Sequence, residues 1–442
     1  MSATLRHEIV IVGGGAAGLA ARQRLRESGQ DGVLLEARNR LGGRIWTEHP
    51  PGWPLAVELG AEFIHGRPPE LKGLGMAADP RQTEAWTTVG GGLRRAGEFA
   101  GGADRVFERM HERPRAAPDV SFATFLAERC SDLPEAARNG ALAYIEGYEA
   151  ADAARISVRS LIREQEAEED GGGWPRRPRS GYGTMVEELA GDGATGIRLG
   201  AAVERIAWRP GSVVIEARGA RVEARCAILT LPLALLQAGA VQFDPPLEAK
   251  RAAIGGLVTG GALRITLRLR VPIWRELRDS EGAAMDALGF LFGHAEASGH
   301  FPTWWASEGG GAAQITGWAA GRHAWALAGW PMERLRERGL NDLAERLGIE
   351  PERLRNNLVE GHSHDWQTDP HACGAYSYAA VGGAGAFAAL AEPLAGTLFF
   401  AGEATDSSGH HATVQGGLRS GRRAAEEALA AVVKLSLSPR LP

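Results

Sequence analysis

The apolar positions of this chain change period along its length, and each change predicts an element. Residues 8–12 form a short, mostly β-branched run that reads as a buried strand, and a glycine-rich turn with a helix-compatible stretch to Ser28 follows directly. Residues 32–35 make a second short strand. Over residues 121–130 and 134–150 apolar side chains recur every three or four positions, which predicts amphipathic helices separated by glycine- and proline-rich loops. Another helix opens at residues 180–185 and ends near Ala190, and residues 197–199, 202–208 and 212–217 then alternate or run apolar as strands. Residues 226–232 form a buried strand halted by Pro232, in which Cys226 reads as a small core residue. From residue 263 to 271 the alternation is regular: Leu263, Ile265, Leu267, Leu269 and Val271 stand against Arg264, Thr266, Arg268 and Arg270, a pattern that predicts a half-exposed strand. Trp304, Trp305, Trp318, Trp325 and Trp330 follow it and read as part of a second, antiparallel sheet. Helical spacing returns over residues 332–347, a strand ends near Gly402, and a last helix runs to Val433. The class is α/β, with two lobes.

The first turn adds chemistry to this pattern. Gly13-Gly14-Gly15-Ala16-Ala17-Gly18 has the G-x-G-x-x-G spacing between strand and helix. Gly13 allows the turn, Gly15 lets the backbone approach a pyrophosphate, and Gly18 lets helix and sheet pack closely, while the helix N-terminus offers N–H groups to phosphate. Glu36 ends the second strand at the distance where a carboxylate can take both hydroxyls of an adenosine ribose, and Ala37 and Arg38 continue the same rim. Strand, turn, helix and Glu36 in register predict a dinucleotide site.

Bulk composition narrows the remaining choices. The chain has 442 residues, 44% hydrophobic and 23% charged, enough for two cores in one globular protein. Its formal charge of -5 gives no electrostatic reason to expect a nucleic-acid partner. Cys130, Cys226 and Cys373 are far apart and odd in number, so they suggest neither a disulfide framework nor a metal site, and they favour a reducing compartment. The apolar run at residues 9–12 is too short for a secretion signal, and the stretch after Val433 is too short and interrupted for a membrane anchor. A cytoplasmic protein with no membrane association is expected. Nothing in the sequence sets an oligomeric state. The acidic run Glu164, Glu166, Glu168, Glu169 and Asp170 could be a polycation site, but reads first as a solvated helix end, offset locally by Arg176, Arg177 and Arg179. His410 and His411, being adjacent, point apart on regular structure and flank a loop.

Further motifs converge on one family. Gly42-Gly43-Arg44 reads as a second clasp, with small residues for close backbone approach and a guanidinium for phosphate or ring oxygens. In residues 58–66 the small residues around Gly60, Ala61 and Glu62 suit packing against a flat ring. The fingerprint, Glu36, Arg-Leu-Gly-Gly-Arg-Ile-Trp-Thr at residues 40–47 and Glu-Leu-Gly-Ala-Glu-Phe-Ile-His-Gly at residues 58–66 together resemble the flavin-dependent amine oxidases, which include monoamine oxidases, polyamine oxidases and flavin-class lysine demethylases. Residues 365–378, 398–405 and 413–421 resemble the closing motifs of that family.

The resemblance implies FAD as the dinucleotide. It also implies a Rossmann-like FAD lobe built from residues 1–70, 180–255 and 365–442, and an α+β substrate lobe with a mixed or antiparallel sheet from residues 71–179 and 256–364. By position, Val203 lies under the adenine, Gly402 and Glu403 reach the ribityl chain or pyrophosphate, and Thr413 and Val414 open a helix toward the flavin. Ala375 stands where some members attach the flavin through cysteine, so the FAD is expected to be non-covalent. Tyr376 corresponds to an aromatic wall of the substrate cage, and Thr413 to the opposite wall, elsewhere a tyrosine. Arg264 stands where relatives carry a lysine that holds a water beside the flavin and assists reoxidation by oxygen; alternatively it lies on the exposed face of its strand with Arg268 and Arg270.

The activity implied is transfer of hydride from the Cα–H of a neutral amine to flavin N5. An imine and then a carbonyl product follow, and O2 or another acceptor regenerates the flavin. Tyr376, Arg264, Thr413 and His65 are the candidate catalytic residues. Glu62, His65, Glu146 and Glu149 could select a polyamine, whereas Arg179 or Arg322 could hold an amino-acid carboxylate. Two alternatives stand beside this reading: an FAD-dependent dehydrogenase or desaturase of a specialised metabolite, and a non-catalytic interaction protein that carries flavin.

Overall fold

The opening strand, Thr4–Val12, shows why its apolar half carries no alternation. Val10 pairs with Val33 on one side and Ile9 with Cys226 on the other, both in parallel register, and residues 9–12 are buried on both faces. The chain is seen here in a computed structural model that describes residues 4–72, 78–79, 84–89, 92–96, 102–169, 176–178, 180–191, 195–293 and 299–437. Ile197–Arg198, Val33–Leu35, Thr4–Val12 and Ala220–Leu229 lie side by side and parallel. The strand Ala220–Leu229 then forks. Its first half pairs antiparallel with Ser212–Ala217, which leads out to Val203–Arg209 and Gln242–Asp244, while residues 227–229 take Leu398–Phe400 in parallel. That fork returns the far end of the chain to the side of its beginning.

Helix Ala16–Glu27 covers this sheet, and the final helix Val414–Leu437 packs on it. The contact is as close as backbones allow. A Cβ on Gly18 would stand 1.9 Å from the Gly13 carbonyl oxygen, and one on Gly421 would stand 2.1 Å from that of Ala17. Both distances are far inside van der Waals contact, so glycine is required at each.

A second sheet of seven strands has the order Leu358–His362, Ala262–Leu269, Ala312–Ala320, Thr303–Gly309, Phe290–Phe292, Ala85–Val89, Gly92–Arg95. Every pair is antiparallel except Phe290–Phe292 with Ala85–Val89, so the sheet is mixed. Helix Met332–Leu347 lays Leu335, Leu340, Leu343 and Leu347 on its inner face, over Trp86, Trp274 and Trp304. Short helices Asp104–His111, Phe122–Arg129, Glu135–Gly147 and Val158–Glu169 surround a third core, and Ser121 Oγ caps the second by accepting from Thr124 N at 3.2 Å.

Several expectations from the linear pattern fail here; Trp325 lies in the helix Arg322–Leu327 and Trp330 beyond it, neither of them in the second sheet. The strand at residues 263–271 is not half-exposed: all of Ala262–Leu269 is buried, with Arg264 only 2% exposed. Its arginine face is covered by the rest of the molecule, Arg268 lying over the Trp53 ring at 4.3 Å and bonding Glu360 at 2.6 Å. The acidic run is not uniformly solvated, because Glu164 is buried against His411, whereas Glu166 is exposed beside Arg115. Nor does Arg177 offset that run; it is buried and reaches Glu62. The side chains of Glu168 and Glu169, and all of Asp170 and Arg179, lie outside the described residues. No helix among the described residues is long and apolar enough to cross a membrane.

Candidate active site

The C-terminal end of the opening strand and the start of the first helix face a cavity of about 1840 Å3 that continues to the second sheet. Three features at this end suit a dinucleotide. No side chain caps the helix at Gly15 and its first turn has no acidic residue, which leaves its N–H groups for an anion. Gly15 has an ordinary φ of -79, and a Cβ there would meet no protein atom nearer than 3.8 Å, so only the space in front of it favours glycine. Glu36, buried at the rim, accepts from Gly14 N at 2.7 Å and from Arg38 N at 2.8 Å, which holds each oxygen in place with lone pairs to spare for ribose hydroxyls. Ala37 and Arg38 line the same rim, and Val203 lines it from the antiparallel edge.

Gly42 N donates to Gly14 O at 2.8 Å, so the second clasp is seated directly on the first turn. Arg44 does not stand alone. Its Nη1 bonds Glu403 Oε1 at 3.0 Å and the Ala375 carbonyl, while Glu403 Oε2 accepts from Ser377 Oγ at 2.6 Å and from Ala412 N at 3.1 Å. One buried carboxylate thus ties the stretches around Arg44 and Ser377 to its own turn and to Ala412, nine residues on. Gly43, Gly402, Thr413 and Val414 line the cavity as well. The Thr413 hydroxyl is engaged as a cap, donating to His410 O at 2.6 Å and accepting from Gly416 N at 3.1 Å, so it fixes the start of the last helix beside the cavity.

Tyr376 faces the cavity from a turn, and its hydroxyl donates to the Tyr148 carbonyl at 2.6 Å. The Tyr148 hydroxyl shares a hydrogen bond of 2.9 Å with His65 Nδ1, and the two rings meet edge to face at 5.4 Å. Burial pushes His65 down to about 4 and the Tyr376 phenol upward, so this wall is uncharged at neutral pH. Ala375 precedes Tyr376, and Cys373 is not among the cavity's lining residues.

On the facing side stands a buried charge network. Arg264 Nη1 donates to Gly60 O at 2.6 Å and Nη2 to Glu62 Oε2; Arg177 Nε meets the other Glu62 oxygen at 2.9 Å, as does Trp305 Nε1. Burial lowers Arg264 to about 10, which still leaves it charged at neutral pH. Its Nε has no protein partner although it is buried. The exposed-strand alternative for Arg264 is therefore wrong: Gly60, Glu62 and Trp305 cover it. Gly60, Ala61 and Glu62 present their segment to the cavity beside it. Glu146 and Arg322, proposed above for different substrates, pair with each other at 3.0 Å at the cavity wall.

Sequence reasoning missed Arg177, Trp305 and Glu164 as site residues, and it placed His411 beside a loop without its partner. Nothing in spacing connects them to the site. Glu164 Oε1 lies 2.7 Å from His411 Nε2 and accepts from Ser160 Oγ at 2.9 Å. His410 and His411 both line the cavity, and His411 is directed at Glu164 and stacks on Phe387 at 3.9 Å.

Residues 88–429 match the family described as Flavin containing amine oxidoreductase, and residues 11–74 match the NAD(P)-binding Rossmann-like domain. Polyamine oxidase 3 of Oryza sativa subsp. japonica is 30% identical over 95% of this chain and 88% of its own length. Lysine-specific histone demethylase 2 of Homo sapiens is 27% identical over 95% of this chain and 53% of its own. Among solved structures, wild-type putrescine oxidase bound to putrescine superposes with a TM-score of 0.80 at 24% identity, over 97% of this chain and 100% of that one. Cyclohexylamine oxidase from Brevibacterium oxydans IH-35A gives 0.79 at 22%, over 97% and 99%.

Proposed function

The chain belongs to the flavin containing amine oxidoreductase family and is an FAD-dependent oxidoreductase acting on amines, and from that premise we propose how its cavity works. Bound FAD supplies the two-electron chemistry, taking hydride from the carbon beside a neutral nitrogen to leave an imine that water hydrolyses, with O2 or another acceptor as the final oxidant. The residues of the chain bind and orient. Glu36 takes the ribose hydroxyls, the uncapped helix start at Gly15 takes the pyrophosphate, Val203 lies along the adenine, and Gly60, Ala61 and Glu62 back the ring. Glu403, held by Arg44 and Ser377, spaces the two ends of the site. Tyr376, Tyr148 and His65 present an uncharged, largely dry wall to the amine. A full negative charge there would favour the ammonium form, which has no lone pair to support hydride loss; a π-face attracts the nitrogen without that penalty.

The observation that carries this reading is the single cavity joining the Gly15 turn to the neutral Tyr376 wall. The decisive measurement is an anaerobic screen of monoamines, diamines and amino acids for bleaching of the flavin absorbance, repeated in air with peroxide detection. At least one amine is expected to bleach it; no bleaching by any would overturn the assignment. A second reading, a dehydrogenase that reacts slowly with oxygen, is favoured by one observation: a guanidinium, that of Arg264 paired with Glu62, stands where a lysine could exchange protons. Bleaching without peroxide in air would support it.

We assign residues 1–70, 180–255 and 365–442 to the FAD lobe and residues 71–179 and 256–364 to the substrate lobe. The absence of a cysteine directly before Tyr376 supports non-covalent FAD. Cys130, Cys226 and Cys373 are all free, which supports a cytoplasmic setting.

A further inference from the structure

We propose that the second sheet gives the cavity an aromatic floor, which holds the apolar, aryl-bearing tail of a monoamine substrate and turns away a tail ending in a second ammonium; this rests on the amine-oxidising reading above. The floor follows from strand register. Arg264 pairs with Trp318, Trp318 with Thr303 and Thr303 with Phe292, so these four side chains form one row across four strands. Trp305 pairs with Phe290 on the same face, two residues along each strand. Adjacent strands lie about 4.8 Å apart, so the row runs about 14 Å outward from Arg264, whose Nη1 is bonded to Gly60 in the segment assigned to the flavin ring. Phe63, Phe290, Phe292, Trp305 and Trp318 all line the cavity. Their rings form one connected set: Phe63 meets Trp305 at 5.1 Å and Phe290 at 5.8 Å, Trp305 meets Trp318 at 5.9 Å, and Phe290 stacks on Phe292 at 5.7 Å.

The polar edges of both indoles are already spent. Trp305 Nε1 donates to Glu62 at 2.9 Å and Trp318 Nε1 to Gly147 O at 2.7 Å, so what these residues offer the cavity is hydrocarbon. Aromatic rings also attract cations, but here guanidiniums already lie against them: Arg177 over Phe63 at 5.1 Å and Arg264 over Trp305 at 5.3 Å. The two arginines share one carboxylate, that of Glu62. Glu58, which also acts on Arg264, does not line the cavity, and burial pushes it up to about 7, so it offers only part of a charge at neutral pH. The floor therefore carries an excess of buried positive charge, which repels a second ammonium. Glu146, on the helix whose Gly147 carbonyl receives the Trp318 N–H, is no counter-ion either, being paired with Arg322 at 3.0 Å. An anionic tail gains little, because both guanidiniums are buried and spend Nη groups on Gly60, Glu62 and Ala306. An apolar tail meets neither penalty and removes the ring surfaces from water.

The test uses the FAD-loaded enzyme and three amines of equal length in which every carbon next to nitrogen carries methyl groups in place of hydrogen, so that they bind but have no hydride to give. One ends in phenyl, one in a second ammonium and one in a carboxylate. Anaerobic calorimetry measures each dissociation constant in wild type, W318A, W318F and F292E. In wild type the phenyl ligand is expected to bind at least about 30-fold more tightly than either of the others. W318A should weaken the phenyl ligand about 10-fold and leave the diammonium ligand within about 2-fold, while W318F should restore most of the loss. F292E, which sets a carboxylate at the outer end of the row, should tighten the diammonium ligand about 10-fold. Equal affinities in wild type, or a preference for the diammonium or carboxylate ligand, would overturn the proposal, and this ranking is decisive even where a variant takes up no flavin. The same amines with their α-hydrogens restored are then tested for anaerobic bleaching. If none bleaches the flavin while the ranking holds, the amine-oxidising reading fails and the preference of the floor stands.

Discussion

Glu36 is a single carboxylate held by two backbone N–H groups, and its expected task is to bind through the lone pairs that remain. E36A should raise the dissociation constant for FAD by at least about 10-fold, since a hydrogen bond to a charged group contributes about 1.5–3 kcal/mol; fluorescence titration of the apoprotein measures it. Glu58 makes a different point. Burial raises it to about 7, although Tyr182 N and Thr47 Oγ1 both donate to it. Its folded value lies above the ordinary carboxylate value, so the folded state binds the proton more tightly, and stability falls as pH rises through the interval from about 4.5 to about 7. E58Q should remove that fall. Relative to wild type it should gain roughly 2 kcal/mol between pH 5 and pH 8 in urea unfolding, and an unchanged difference between the two pH values would count against the assignment. The residue scale is also where linear reading was weakest. Arg264 could be read from the sequence either as a residue beside the flavin or as one of three exposed arginines; its surroundings are Gly60, Glu62 and Trp305.

Among elements, the contact between the first helix and the last sets how closely the fingerprint can approach the end of the chain. G421A would push a methyl group into the Ala17 carbonyl. It should cost about 1–3 kcal/mol of stability and lower the flavin content of the purified protein, both readable from thermal melts and the absorbance ratio. The helices at residues 121–130 and 134–150, the hairpin through Trp304 and Trp318 and the helix at residues 332–347 were all legible, because each obeys a local period. The strand at residues 262–269 was legible as a strand but not as a buried one. Alternation records which face differs in polarity; whether the polar face meets water depends on what else packs there.

In the whole molecule, the cavity is assembled from both ends of the chain and its middle. Acid precipitation of the purified enzyme should therefore release its flavin into the supernatant, as expected where Ala375, not cysteine, precedes Tyr376; yellow colour retained in the pellet would contradict non-covalent binding. Residue order alone was enough to place the dinucleotide turn, the FAD implied by the closing motifs and most regular elements, because these depend on backbone geometry and short-range spacing. It also brought Tyr376 and Glu403 into view through motifs that stay contiguous in the chain. Only the fold could supply the partners: Arg177 for Glu62, His411 for Glu164, Tyr148 for Tyr376. Charges and hydrogen bonds act through space over a few ångströms, and side chains far apart in sequence leave no periodic trace of such meetings.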